Sequence, residues 1–131
     1  AGDGHYLLVA TATMLTARLG MQASCRFQQG SATDLPCAAA TFDIAWSQNM
    51  LMNIADKPRF YREALRVLRP GGVLALAKAT SGPGGAPYYP TPWASTAAAS
   101  FLASAEETRA QLEAARPWFD RKPAMVSARN G

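Results

Sequence analysis

Cysteine is scarce in this chain of 131 residues, and the two present, Cys25 and Cys37, show none of the paired C-x-x-C spacing of a zinc site or a redox motif. They read as buried or idle thiols, and no metal site is expected. Histidine is scarcer still. A histidine general base would have to be His5, which on an exposed first turn reads as an idle side chain. No apolar run approaches the ~20 residues that span a bilayer, and no basic start followed by an apolar core marks a signal peptide. A cytoplasmic protein with no membrane partner is therefore expected. Charge is sparse at 17% of residues, and 13 basic against 9 acidic side chains give +4, too little to identify a nucleic-acid binder. With 49% hydrophobic residues the chain reads as one ordinary globular domain. It opens at Ala1 rather than Met, as expected of a chain trimmed, processed or cut from something longer.

What is present is patterned. Leu8, Ala12, Leu15 and Leu19 recur at helical spacing, with Asp3 as a cap and Gly20 as a stop, and predict a helix over His5–Leu19. Alternation of Cys25 and Phe27 with Arg26 and Gln28 predicts a short strand over Ser24–Gln29, and Phe42–Trp46 a second one. Asp56 and Pro58 open a helix that runs to about Leu68, with Tyr61, Ala64, Leu65 and Leu68 as its buried stripe. Pro70-Gly71-Gly72 stops it. The continuously apolar Val73–Ala77 reads as a strand covered on both faces in a parallel sheet, completing a βαβ unit. Ser81–Pro92 is too rich in proline and glycine for regular structure and reads as a long aromatic loop. Ser104 and Glu107 form a capping-box pair ahead of a helix with Ala105, Thr108, Leu112 and Ala115 inward and Pro117 at its end. A last weak strand is expected near Ala124–Ser127.

Three stretches, taken in order, carry a resemblance: Arg26-Phe27-Gln28-Gln29-Gly30-Ser31-Ala32-Thr33-Asp34-Leu35-Pro36, then Phe42-Asp43-Ile44-Ala45-Trp46-Ser47-Gln48, then Glu63 with Arg66-Val67-Leu68-Arg69-Pro70-Gly71-Gly72. Together they resemble class I S-adenosylmethionine-dependent methyltransferases of the small-molecule type, from about Leu8 to about Ala115. Gly82–Ala94 is similar to the substrate-side insertion of some members acting on amines or other small metabolites. The resemblance implies S-adenosylmethionine as cofactor and a small molecule as substrate. Departures accompany it. The family's first strand ends in a glycine-rich turn, and its second in an acidic residue that holds the ribose hydroxyls. This sequence shows neither, since no apolar strand precedes Gly2 and Gly4. The family's Gly-Asp-Ala beside the adenine is here Gly30-Ser31-Ala32, which keeps an acceptor and loses the charge.

The resemblance places Ser31, Ala32, Ser47 and Gln48 on the cofactor, and Asn49, Met52, Tyr89 and Trp93 on the substrate side. Ser47, Gln48 and Asn49 follow the strand at the sheet's switch point, although polar loop residues would look the same. Met50, Met52, Tyr88, Tyr89 and Trp93 suit a pocket for a cationic amine, and suit core packing or a subunit interface equally. Arg59, Arg62, Arg66 and Arg69 read as a solvated helix face that complements the helix dipole. The expected fold is α/β: a partial Rossmann-like methyltransferase sheet with flanking helices and the N-terminal strands missing, a single truncated domain over residues 1–131. In the family those strands lie between Ser24–Gln29 and Phe42–Trp46, so the gap favours a homo-oligomer. The function expected is methyl transfer to a small molecule as ancestral activity, impaired in this chain; the alternative is a non-catalytic small-molecule-binding or self-assembly module.

Overall fold

The computed structural model describes residues 3–116, with side chains from Leu7 onward. The chain falls into two compact units that meet in sequence at Ser31 and Ala32. The expected final strand and Pro117 lie outside the described residues, as does the His5 side chain.

The first unit is helix α1, Asp3–Arg18, followed by irregular chain. Asp3 is the first helical residue rather than a cap before it. The helix ends in a Schellman motif: Gly20 N–H donates to Ala17 O, Met21 N–H donates to Thr16 O, and Gly20 takes φ +69°. Its expected stripe stays exposed at Leu8, Leu15 and Leu19. Apolar side chains also project at Leu7 and Met14, and no second element of this unit packs on any of them. Ser24–Gln29 forms no strand, contrary to the alternation of its side chains; after a turn at 22–24 the backbone is irregular. A strand exists only as part of a ladder, and this unit holds no other extended segment to supply one.

The second unit is built on strand β1, Phe42–Gln48, helix α2, Lys57–Arg66, and strand β2, Leu68–Ala77, followed by helix α3, Ala105–Ala115. β1 and β2 pair in parallel from Ile44↔Val73 to Gln48↔Ala77. This is the βαβ unit read from the sequence. Asp56 caps α2 by accepting from Arg59 N–H at 3.0 Å, and Pro58 sits in the first turn, where no intrahelical N–H is needed. α3 carries the full capping box of Ser104 and Glu107. Tyr61, Ala64 and Leu65 bury as expected; Leu68, expected on the same helix, buries instead as the first residue of β2, and Leu51, Phe60, Leu74 and Ala115 complete the cluster. Phe60 and Tyr61 meet edge to face at 5.4 Å. Ala115 is the buried end of α3, whereas Ala105 is exposed.

Two expectations change here. Pro70-Gly71-Gly72 does not separate helix from strand: the helix ends at Arg66 and the tripeptide lies inside β2, where the ladder shifts register opposite Phe42 and Ile44. Gly72 is required at that shift, since a Cβ there would lie 2.9 Å from Asp43 O and 3.0 Å from Arg69 O. Nor is the sheet covered on both faces. Ala45, Leu74 and Leu76 pack into the cluster on the α2 side, while Ile44 and Trp46 remain 66% and 72% exposed, with Phe42 and Val73 also open. Among the described residues of this unit only one helix layer packs on the sheet, which leaves the other face of a continuously apolar strand exposed.

Candidate functional site

The C-terminal ends of β1 and β2 place several of the expected residues. Ser47 is 6% exposed, and its hydroxyl has no hydrogen-bond partner among the described residues. Gln48, the last residue of β1, is exposed. Asn49 takes the left-handed region at φ +50°, which asparagine tolerates better than most residues, and its N–H donates to Ala77 O at 2.7 Å. The strand thus turns away sharply just beyond its last ladder pair. Lys78 follows β2, and its Nζ is buried without a partner among the described residues. Burial lowers its pKa, the like charge of Lys57 lowers it further, and Glu107 opposes both. Lys57 at the start of α2 is itself buried, donating to Ile54 O at 2.8 Å and to Phe101 O.

The segment 33–42 lies along α2 and is fixed by it. Glu63 accepts the Leu35 N–H at 2.9 Å and, through both carboxylate oxygens, two N–H groups of Arg66 at 2.8 Å. Arg66 also donates to Cys37 O at 2.8 Å and Leu35 O at 3.0 Å, and Arg59 Nε donates to Thr33 O at 2.8 Å. The hydrogen bond from Arg66 is the main reason that the Glu63 carboxyl is held down to about 2. The solvated arginine stripe is thereby corrected. Arg59 and Arg66 bind loop carbonyls, Arg69 lies in β2 and pairs with Asp43 at 2.8 Å, and Arg62 alone is left on the exposed face. Spacing three and four apart fixed their helical side without revealing that a loop runs beside it. The signal available in the sequence was Glu63, three residues before Arg66.

Ser31 closes the first unit and Ala32 opens the second, where it packs against the core cluster. On the expected substrate side, Met52 is buried and its carbonyl accepts the Phe101 N–H at 2.8 Å. Trp93 is half-buried and donates through Nε1 to Ser100 Oγ at 3.1 Å, so Met52 and Trp93 are tied to adjacent residues of one segment. Tyr89 is half-buried in the long loop. Tyr88 lines no pocket, being 97% exposed. Among the described residues no three His, Cys, Asp or Glu side chains group as metal ligands, and no helix is long and apolar enough to cross a membrane.

The strand-end Ser47 hydroxyl of the second unit is an acceptor of the kind an adenosyl base would use, and among the described residues no carboxylate stands at a strand end for ribose hydroxyls. Comparison with known proteins bears on the fold. Erythromycin 3''-O-methyltransferase of Saccharopolyspora erythraea is 40% identical over 68 residues, 52% of this chain and 22% of that enzyme. The solved (4+2)-cyclase SpnF is 29% identical with a TM-score of 0.69, over 83% of this chain and 39% of its own. Geranyl diphosphate methyltransferase, solved in complex with SAM, shares the fold at 21% identity and a TM-score of 0.68, over 82% of this chain and 44% of its own. The chain thus spans less than half the length of each of these proteins. A family model described as a methyltransferase domain matches residues 3–76, more than half of the chain, and together with the parallel β1–α2–β2 unit this shows that the chain belongs to the class I S-adenosylmethionine-dependent methyltransferase family.

Proposed function

We propose that this chain carries the adenine-side and acceptor-side wall of a methyltransferase cleft, with methyl transfer from S-adenosylmethionine to a small molecule as its ancestral chemistry. In that reaction an acceptor lone pair bonds to the methyl carbon as the carbon–sulfur bond breaks and leaves its electrons on sulfur. Alignment of the two is most of the catalysis. Ser31, Ala32, Ser47 and Gln48 are the proposed cofactor contacts, and Asn49, Met52, Tyr89 and Trp93 the proposed acceptor contacts. The observation that supports this is the buried, unpartnered Ser47 hydroxyl at the end of a parallel strand, where open α/β sheets receive their ligands. Activity of the 131-residue chain is proposed to be impaired, because Ser31 stands where the family's Gly-Asp-Ala carries a charged acceptor. Each lost charge-assisted hydrogen bond weakens binding by roughly tenfold or more.

The test is S-adenosylmethionine binding by the whole chain. Ligand-detected NMR at millimolar ligand should show contact to the adenine protons, and calorimetry should show no micromolar site. A micromolar dissociation constant that Ser31→Ala weakens would overturn the proposed impairment. No NMR contact would overturn the cofactor wall itself and leave the second reading, a self-assembly module. That reading is favoured by the sheet face on which, among the described residues, Phe42, Ile44, Trp46 and Val73 are all exposed. Sedimentation at micromolar concentration should then give a dimer that Trp46→Lys dissociates; a monomer throughout would sink the assembly reading.

A further inference from the structure

We propose that Glu63 and Arg66 form a positioning clamp that presets the backbone of the segment from Thr33 to Cys37 and, through it, the adjoining Ala32 of the proposed cofactor wall; the ligand half of this inference rests on the cofactor-wall reading above. The carboxylate and the guanidinium form a bidentate pair across one helical turn, with Glu63 Oε1 facing Arg66 Nε and Oε2 facing Nη2, each at 2.8 Å. Such pairs on a helix surface usually serve only each other. Here three further hydrogen bonds of the pair go to a neighbouring segment: Leu35 N–H donates to Glu63, and Leu35 O and Cys37 O each accept from Arg66. Both main-chain polar groups of Leu35 are therefore held by the same ion pair.

The neighbouring bonds extend the hold. Arg59 binds Thr33 O from one turn earlier, while at the other end Ala40 N–H donates to Arg66 O at 2.9 Å and Thr41 N–H to Val67 O at 2.8 Å. The segment thus enters β1 already aligned on α2. The Glu63 side chain is 17% exposed and that of Arg66 36%, so water is kept from the carboxylate more than from the guanidinium. Neither Glu63 nor Arg66 faces the strand ends where reacting groups would meet, so their role is positioning and not catalysis. A lysine at position 66 would keep the charge but lose the planar fork that serves a carboxylate and two carbonyls together.

The experiment uses the 131-residue chain with Glu63→Gln, Arg66→Lys and, as a control, the exposed Arg62→Gln. Three readouts are compared: amide exchange at Leu35, the labelling rate of the Cys37 thiol in a Cys25→Ser background, and the affinity for S-adenosylhomocysteine by ligand-detected NMR. Glu63→Gln and Arg66→Lys should each speed Leu35 exchange and Cys37 labelling about tenfold and weaken the ligand to a similar degree. Arg62→Gln should change none of these. Leu35 exchange unchanged in both clamp variants overturns the clamp. Faster exchange with unaltered affinity overturns its role in ligand binding while the cofactor wall stands. An unaltered chain that never contacts the ligand overturns the cofactor wall and the positioning role together, and the exchange data still decide whether the clamp holds the loop. A rise in exchange equal at all amides would mark general loosening and count against a local clamp.

Discussion

The Tyr61 ring is fully buried among the core side chains, yet its hydroxyl meets no partner among the described residues. Burial pushes its pKa up to about 12, so the phenol stays neutral throughout the neutral range. Removing the hydroxyl removes a desolvated polar atom and leaves the ring in place. Tyr61→Phe should therefore raise stability by about 1 kcal/mol, read as a higher Tm; a lower Tm would show that the hydroxyl is satisfied. Leu65 lies one turn along the same buried stripe, between α2 and the sheet. An aspartate there would be an unpaired charge with no route to water. Leu65→Asp should unfold the chain, as the loss of a cooperative melting transition in circular dichroism; an unchanged melting curve would show the buried face to be wrongly assigned.

At the scale of the element, α2 is held at both ends by polar side chains and through its middle by apolar ones. Its Glu63 titrates at about 2 when folded and near 4.3 when unfolded. The sign follows from the depressed folded value: the contribution to stability is complete above pH ~4.3, falls as pH drops through the window down to about 2, and is gone below it. Chemical denaturation of the native chain should show that slope, and Glu63→Gln should flatten it. In β2, Gly72→Ala would drive a Cβ into the backbone of Asp43 and Arg69, neither of which can rotate away. A destabilisation of about 1–3 kcal/mol by urea unfolding is expected, whereas Ala at an exposed position of the same strand should be nearly neutral. These two elements also show what the sequence discloses. The α2 stripe and the N-caps Asp56 and Ser104 were legible because periodicity and capping are local. The register shift at Gly72 was not, because Pro-Gly-Gly means a stop in one context and a bulge in another, and the partner strand decides.

For the whole molecule, the parallel β1–α2–β2 unit was legible from order and spacing, whereas the coverage of the sheet was not. An apolar run such as Val73–Ala77 reports suitability for burial, and which elements bury it depends on what else packs nearby. The Ser24–Gln29 segment failed for the same reason, since alternation describes a strand's faces and says nothing about its neighbours. The site divides likewise. Ser47 and Asn49 were legible as strand-end residues, while the grip of Glu63 and Arg66 on a loop nearly thirty residues away is a tertiary fact.

Lys57 and Lys78 have a practical consequence. Both ammonium groups are shielded, Lys57 by two carbonyls and the Phe101 ring at 5.9 Å, Lys78 by burial alone. An acylating reagent at neutral pH should leave both amines unmodified in the native chain and modify both in urea, as counted by peptide mass spectrometry. The two amines would then serve as a built-in gauge of folding: the acylated fraction at Lys57 would report on the start of α2 and that at Lys78 on the end of β2, with no added fluorophore.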